Sequence, residues 1–262
     1  MKAFSKWLAN KVAPPFLFAC LVLVVWEGLV RWFDTPEFLL PAPSNVFVTC
    51  VQQPMEILLA TGMTALAACS GFLLSLLVAV SLACLFSQSS IIRNGLNPYA
   101  ICLQTTPIIS IAPLIIIWLG EGLPAVITIA FIISFFPILT NATTGMLSVP
   151  AGLQEVFRLY RATRWQRMTG LQFPHALPHL VTGMKTSGGL SVLGAIVGDF
   201  FAGYSEAQKG LGYLIYQYKD RNVPLMFGGI AAATLLGLAF FLVISLLGDR
   251  LLLYWCDKRV DE

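Results

Sequence analysis

From Ile57 to Leu147 the sequence carries only two charged side chains, Arg93 and Glu121. A soluble core needs a polar coat, and a run this long without charges cannot supply one. A helix that crosses a bilayer needs roughly 20 mostly apolar residues, so the interval holds about three spans, with breaks near its two charges. The same reading over the whole chain predicts about six, near 15–33, 57–86, 96–119, 123–147, 178–203 and 226–254. The runs are continuous rather than alternating, which argues against a β-barrel. Composition agrees: of 262 residues 57% are hydrophobic and 11% charged, where soluble domains carry about a quarter charged. The expectation is an all-α polytopic membrane protein, a single transmembrane domain over 1–262.

Lysines and arginines set the orientation. Lys2, Lys6 and Lys11 precede the first span and Arg93 separates the second from the third. Arg158, Arg161, Arg164 and Arg167 lie between the fourth and fifth, and Arg250, Lys258 and Arg259 close the chain. With six spans all of these fall on one side, the cytoplasm, together with both termini. The other side holds Lys209, Lys219 and Arg221, roughly balanced by Glu206 and Asp220. The net charge of +3 therefore reflects topology and gives no reason to expect nucleic acid. The basic N-terminus and its apolar run lack a small-x-small cleavage site, which predicts an uncleaved first span. The six cysteines form no C-x-x-C pair; most sit in apolar runs, where cysteine behaves as a small hydrophobe, and no disulfide or metal role is expected.

The longest polar passage is "VPAGLQEVFRLYRATRWQRMTGLQFPHALPHL", Val149–Leu180. Pro150 suits the first turn of a helix. Leu153, Val156, Phe157 and Tyr160 recur at helical spacing, with Gln154, Glu155, Arg158 and Arg161 on the opposite face. Thr163 and Gln166 form a T-x-x-Q capping box that restarts a second short helix. Pro174 and Pro178 are expected to end that helix and turn the chain into the fifth span. Such an amphipathic helix either lies on anionic lipid or docks a partner, and an apolar stripe rimmed by arginines has the composition of an interface hot spot.

Other polar groups stand out against the apolar background. Glu27 and Arg31 are spaced for a helical ion pair at the outer end of the first span, and Ser44 after "LLPAP" can cap a short interfacial helix. Thr105, Thr106 and Ser110 beside Pro107 and Pro113 make a polar, broken segment in the third span, as found where backbone lines a cavity; plain kinking is the other reading. Asp199 is an intramembrane acid, read either as a structural hydrogen-bonding group or as part of a translocation gate. Lys185 is placed to snorkel to the interface. Gly183, Gly188, Gly194 and Gly198 admit close helix approach, for ordinary packing or for a sliding pore or subunit helix. His175 and His179 lack a third ligand at sensible spacing, so no metal site is expected. No nucleophile–base pair is identifiable.

The polar passage resembles the EAA loop of binding-protein-dependent ABC importers, E-A-A-x3-G followed after nine residues by I-x-L-P. Glu155 takes the acidic position and Pro174 the terminal proline. Val156 and Phe157 replace the alanines, Arg161 stands at the glycine and Phe173 at the leucine. The glycine departure suggests a turn made differently, with Thr163 supplying the cap. "LVVWEGLVRWF", "LQTTPIISIAPLIIIWLG", "FPHALPHLVTGMKTSGGLSVLGAIVGDFFAG" and "KGLGYLI" extend the likeness to the taurine, alkanesulfonate and nitrate branch, with thiamine-precursor and riboflavin permeases as relatives.

The resemblance implies a type I importer permease in the bacterial inner membrane, with a coupling loop at about 149–178. Two copies would pair around a pathway lined by Thr105, Thr106, Ser110 and Asp199. Each would place Glu155, Val156, Phe157, Arg158, Leu159, Tyr160, Arg161 and Ala162 in a groove on a cytoplasmic ABC ATPase. A periplasmic or lipid-anchored binding protein would deliver a taurine-, sulfonate- or nitrate-like anion or a vitamin precursor. ATP and Mg would reside on the ATPase and no cofactor on this chain. No G-x-x-x-x-G-K-[ST] is present, and at the one Lys-Thr pair, Lys185–Thr186, Met184 stands where the loop needs glycine. The alternative is a self-sufficient secondary transporter or channel, which calls for intramembrane ionisable groups that this sequence largely lacks.

Overall fold

The computed structural model describes residues 13–202 and 209–258, and its regular structure is helical throughout. In chain order the elements are α1 (Ala13–Trp32), α2 (Pro43–Gln52), α3 (Pro54–Gln88), α4 (Ser90–Thr105), α5 (Ile108–Leu119), α6 (Leu123–Leu147), α7 (Ala151–Leu159), α8 (Arg164–Arg167), α9 (Phe173–Ala202), α10 (Leu211–Tyr218) and α11 (Val223–Lys258). Among the described residues, four stretches are long and apolar enough to cross a bilayer: Pro54–Gln88, Leu123–Leu147, Arg164–Ala202 and Val223–Leu253. The predicted first span falls on α1.

The predicted third span, 96–119, is not one straight helix. α4 and α5 meet at a bend of 100°. Pro107 has no N–H to continue the ladder and pushes Thr106 out of the helical region, to φ −73° and ψ 125°. The Thr105 and Thr106 hydroxyls donate to the Cys102 carbonyl at 3.0 and 2.7 Å, beside the Thr106 N–H at 3.1 Å, so three donors close the last turn of α4 on one carbonyl. α5 has 12 residues, about 18 Å of helix, and cannot span a hydrocarbon layer of about 30 Å alone.

α3, α6 and α9 form the centre of the bundle, with α11 against α9. Lipid tails offer helices no hydrophobic gain on pairing, so contact rests on close packing and interhelical hydrogen bonds. Both are present. Ala67, Ala68, Ala125, Ala130 and Ala195 are fully buried. A methyl group on Gly194 would stand 2.7 Å from the Ala130 backbone, and one on Gly183 would stand 2.8 Å from the Pro137 carbonyl, so α9 lies directly on α6. Gly198 faces Val126 on the same helix, while Gly188 receives Ile244 of α11. The four glycines thus serve packing within the chain. Through the same seam the Ser187 hydroxyl donates to the Ser134 carbonyl (2.6 Å), and the Ser75 hydroxyl reaches the Phe131 carbonyl (2.8 Å) and the Ser134 hydroxyl (2.7 Å). Large apolar side chains such as Leu73, Leu77, Leu235 and Leu246 point outward, as lipid contact requires.

At the end bearing α1's C-terminus, the Arg31 guanidinium pairs with Glu27 at 2.6 Å, as its spacing predicts. Ser44 does not cap α2. The helix begins at Pro43, and Ser44 instead donates its N–H (3.0 Å) and hydroxyl (2.8 Å) to Glu27, whose carboxylate satisfies the start of α2 from the neighbouring helix.

The turn expected at Pro174 and Pro178 is absent. α8 runs through a π-helical segment, Met168–Gln172, straight into α9. In that segment the Phe173 N–H bonds back to the Met168 carbonyl. Widening the helix just before Pro174 accommodates a residue that lacks a donor and crowds the preceding turn. From Arg164 onward the polar passage and the following span are therefore one long rod.

Candidate functional site

At one end of the bundle, Val149 is buried and Pro150 caps α7 rather than entering its first turn. Gln154 donates to the Val149 carbonyl at 2.9 Å, pinning the start of the helix. The predicted apolar stripe divides. Phe157 is half-buried, its ring against Gly170 of the π segment. Leu153 and Val156 are exposed, and Leu159 and Tyr160 are 81% and 84% exposed. Phe157 thus fastens α7 to the rod, while Leu159, Tyr160 and, on α8, Trp165 are left exposed. Glu155, Arg158, Arg161 and Arg164 are exposed as well.

The hinge after α7 is closed from both sides. The Ala162 N–H bonds to the Phe157 carbonyl (2.9 Å) and the Arg161 N–H to the Arg158 carbonyl (3.0 Å), the paired bonds of a Schellman motif. That motif needs a left-handed residue, and Arg161 has φ 51°. The backbone at this position is the one glycine favours, so the turn is not remade to avoid it; only the residue is unusual. Thr163 then caps α8 as its spacing predicts. Its hydroxyl accepts the Gln166 N–H (3.2 Å), and Gln166 accepts the Thr163 N–H (2.8 Å).

Deeper in the bundle, Thr105 and Thr106 line a cleft of about 360 Å³ with Pro107, Ile133, Leu190 and Leu193. Ser110 is exposed on α5 and neither it nor Asp199 belongs to that lining. Beside the cleft lies a cavity of about 260 Å³ between α4 and α6, whose polar lining includes Arg93, Asn97, Gln104, Thr140 and Thr143. In the sequence Arg93 serves only as a topology marker, and Asn97, Gln104, Thr140 and Thr143 do not stand out. A signal existed: Arg93, Asn97 and Gln104 fall on one face of α4, at offsets of four and seven.

Asp199 is 4% exposed and fully engaged. The Thr64 hydroxyl donates to its carboxylate at 2.6 Å, and the same hydroxyl oxygen accepts the Leu211 N–H at 2.8 Å. The Gly212 N–H also donates to Asp199. An acid at the start of α10 is favourable to its unpaired N–H groups. Any side chain on Gly210 would collide with the carboxylate. This arrangement ties α3, α9 and α10 together.

Lys185 does not reach freely toward the interface but pairs with Asp249 of α11 at 2.7 Å. His179 packs against Gly145 of α6, its Nδ1 buried without a partner. Among the described residues, no three His, Cys, Asp or Glu side chains come together.

Residues 71–261 match the family model described as binding-protein-dependent transport system inner membrane component. The chain belongs to that family. Over 238 residues it is 35% identical to the riboflavin transport system permease protein RibX of Chloroflexus aurantiacus, covering 90% of this chain and 87% of that one. It is 29% identical over 247 residues to the formylaminopyrimidine transport permease protein ThiX of Halalkalibacterium halodurans, covering 94% and 96%. The putative aliphatic sulfonates transport permease protein SsuC of Bacillus subtilis is 26% identical over 254 residues, covering 95% and 88%. The fold matches that of a chain in inward-facing structures of the MetNI methionine ABC transporter, with a TM-score of 0.58 and 22% identity, covering 78% of this chain and 98% of that one. This chain is thus an ABC transporter permease of the type I importer family, a multi-pass membrane protein.

Proposed function

We propose that this permease is the membrane subunit of an ATP-driven importer, present in two copies, taking a small solute from a binding protein. ATP with its Mg is bound and hydrolysed by a cytoplasmic ABC ATPase that docks on α7. The observation that carries this reading is α7 itself: a short helix held by a Schellman motif, a capping box and one inward ring, with Leu159 and Tyr160 left facing away from the bundle. Such a surface costs free energy in water and is retained where a partner covers it. A helix joined to the rod α8–α9 passes a push into the span that lies on α6.

In this reading the α7 end is cytoplasmic, as the arginine distribution predicts, and Thr105 and Thr106 at the helix break lie on the pathway. Similarity to riboflavin, formylaminopyrimidine and sulfonate permeases supports a small organic or anionic cargo rather than a peptide or lipid. A self-sufficient ion-coupled carrier is disfavoured by the engagement of Asp199 with Thr64 and Gly212 and of Lys185 with Asp249.

The test replaces Leu159 or Tyr160 with Glu in the assembled transporter. ATP-driven uptake and ATPase co-purification should fall at least tenfold while permease abundance in the membrane stays within twofold, since burying an unpaired charge at a hot spot costs about 2–4 kcal/mol. Full ATPase retention in both variants would refute docking at α7.

A further inference from the structure

The two cavities beside α4 lie end to end. Gln104 and Phe136 belong to the walls of both, one chamber reaching from there toward Arg93 and the other toward the break at Thr106–Pro107. Arg93, Asn97, Ala100 and Gln104 follow at intervals of four, three and four residues, so a single stripe of α4 lines the first chamber along its length. From Arg93 to Gln104 the helix rises about 16 Å, roughly half the hydrocarbon thickness.

The chemistry of the walls has one sign. No carboxylate lines either chamber, and Arg93 is the one charged side chain in the two linings. Among the described residues it makes no ion pair. Asn94, Asn97 and Gln104 add amide groups, and the Thr143 Oγ1 is buried with no hydrogen-bond partner. Phe86, Phe136 and Leu139 make the facing wall apolar. A buried unpaired hydroxyl is costly to keep in a membrane protein unless something visits it, and the half-buried Arg93 in the same wall has its guanidinium free to meet a solute.

We propose that these chambers carry the cargo through the α7-side half of the membrane, and that Arg93 selects small organic solutes with an anionic or oxygen-rich end and a compact apolar body. The guanidinium attracts and orients that end, the amides replace its water, and the aromatic wall takes the body. Gln104 and Phe136, common to both chambers, stand where the solute passes from the helix break into the inner chamber. This rests on the permease reading and extends it to the chemistry of the cargo.

The test needs neither ATPase nor binding protein, so it stands or falls apart from docking at α7. In a full-length permease with all six native cysteines replaced by serine, Asn97→Cys and Thr144→Cys report on the inner chamber and Gly152→Cys on α7. Inverted membrane vesicles are labelled with anionic sulfonatoethyl or cationic trimethylammonioethyl methanethiosulfonate, and each rate is normalised to a free thiol. Both chamber reporters should react. Their anion-to-cation rate ratio should fall roughly tenfold on Arg93→Gln and stay unchanged on Arg93→Lys, with no change at Gly152→Cys under either substitution. Failure of both chamber reporters to label, or a ratio indifferent to Arg93→Gln, would overturn the proposal.

Discussion

Arg161 sits at φ 51°, a conformation that costs a non-glycine residue roughly 1–2 kcal/mol, and a Schellman motif on one side and a capping box on the other hold it there. Arg161→Gly should therefore raise the unfolding midpoint in detergent, a gain of about 1 kcal/mol at most because glycine also frees the unfolded chain. Arg161→Val should lower it, since a β-branched residue tolerates the left-handed region least. A midpoint unmoved by both substitutions would show that the turn is not held in this conformation. The cap at Thr163 was legible from T-x-x-Q alone, because capping is local. The left-handed residue was not: nothing about an arginine signals positive φ, and only the paired bonds to Phe157 and Arg158 require it.

The apolar helices lie close to where long uncharged runs predict them, whereas their interruptions follow the prolines unevenly. Pro107 broke its helix, because the residue before it, Thr106, is forced into extended geometry. Pro174 did not, because the π segment before it shifts the ladder by one residue, and whether a helix widens is decided by what packs around it. The division of α7's stripe has the same origin. Periodicity groups Phe157 with Tyr160, but only the Phe157 ring lies against the π segment, at Gly170, while Tyr160 is exposed. The α6–α9 seam is the most extensive contact in the bundle, and Gly194 has the Ala130 backbone across from it. Gly194→Val should force these helices apart and cost about 1–3 kcal/mol, read as a lower unfolding midpoint in detergent. Gly189→Val, where a methyl group would meet nothing within 4 Å, should cost less than a third of that. Equal losses at the two positions would contradict close packing as the reason for glycine at Gly194.

For the whole molecule, the end opposite α7 is fastened by groups far apart in sequence. Asp199 and Thr64 hold the start of α10, and the Tyr218 hydroxyl at its other end donates to Glu56 of α3 at 2.6 Å. That bond, with some burial, pushes the Tyr218 phenol up to about 12. The folded value lies above the ordinary value of about 10, so the protonated phenol is the stabilising form. Its contribution is complete below pH 10 and is lost as pH rises toward 12. In unfolding scans from pH 9 to 12, Tyr218→Phe should be less stable than the parent at pH 9, with the difference shrinking as pH rises. A constant difference across that range would remove the Glu56 bond as its cause.

Composition and local pattern are enough to say what kind of molecule this is. Sparse charge over long apolar runs leaves helices in a bilayer as the workable solution, the arginines predict which side the loops occupy, and the spacing from Glu155 to Pro174 carries the family likeness. Those signals are local or compositional and survive without knowing which helix touches which. Tertiary structure decided where the polar groups go: Asp199 into the start of α10, Lys185 onto Asp249, and Arg93 with Asn97 and Gln104 into a cavity facing α6. A polar side chain on an apolar helix must find a partner or a cavity, and which one it finds depends on helices brought together from across the chain.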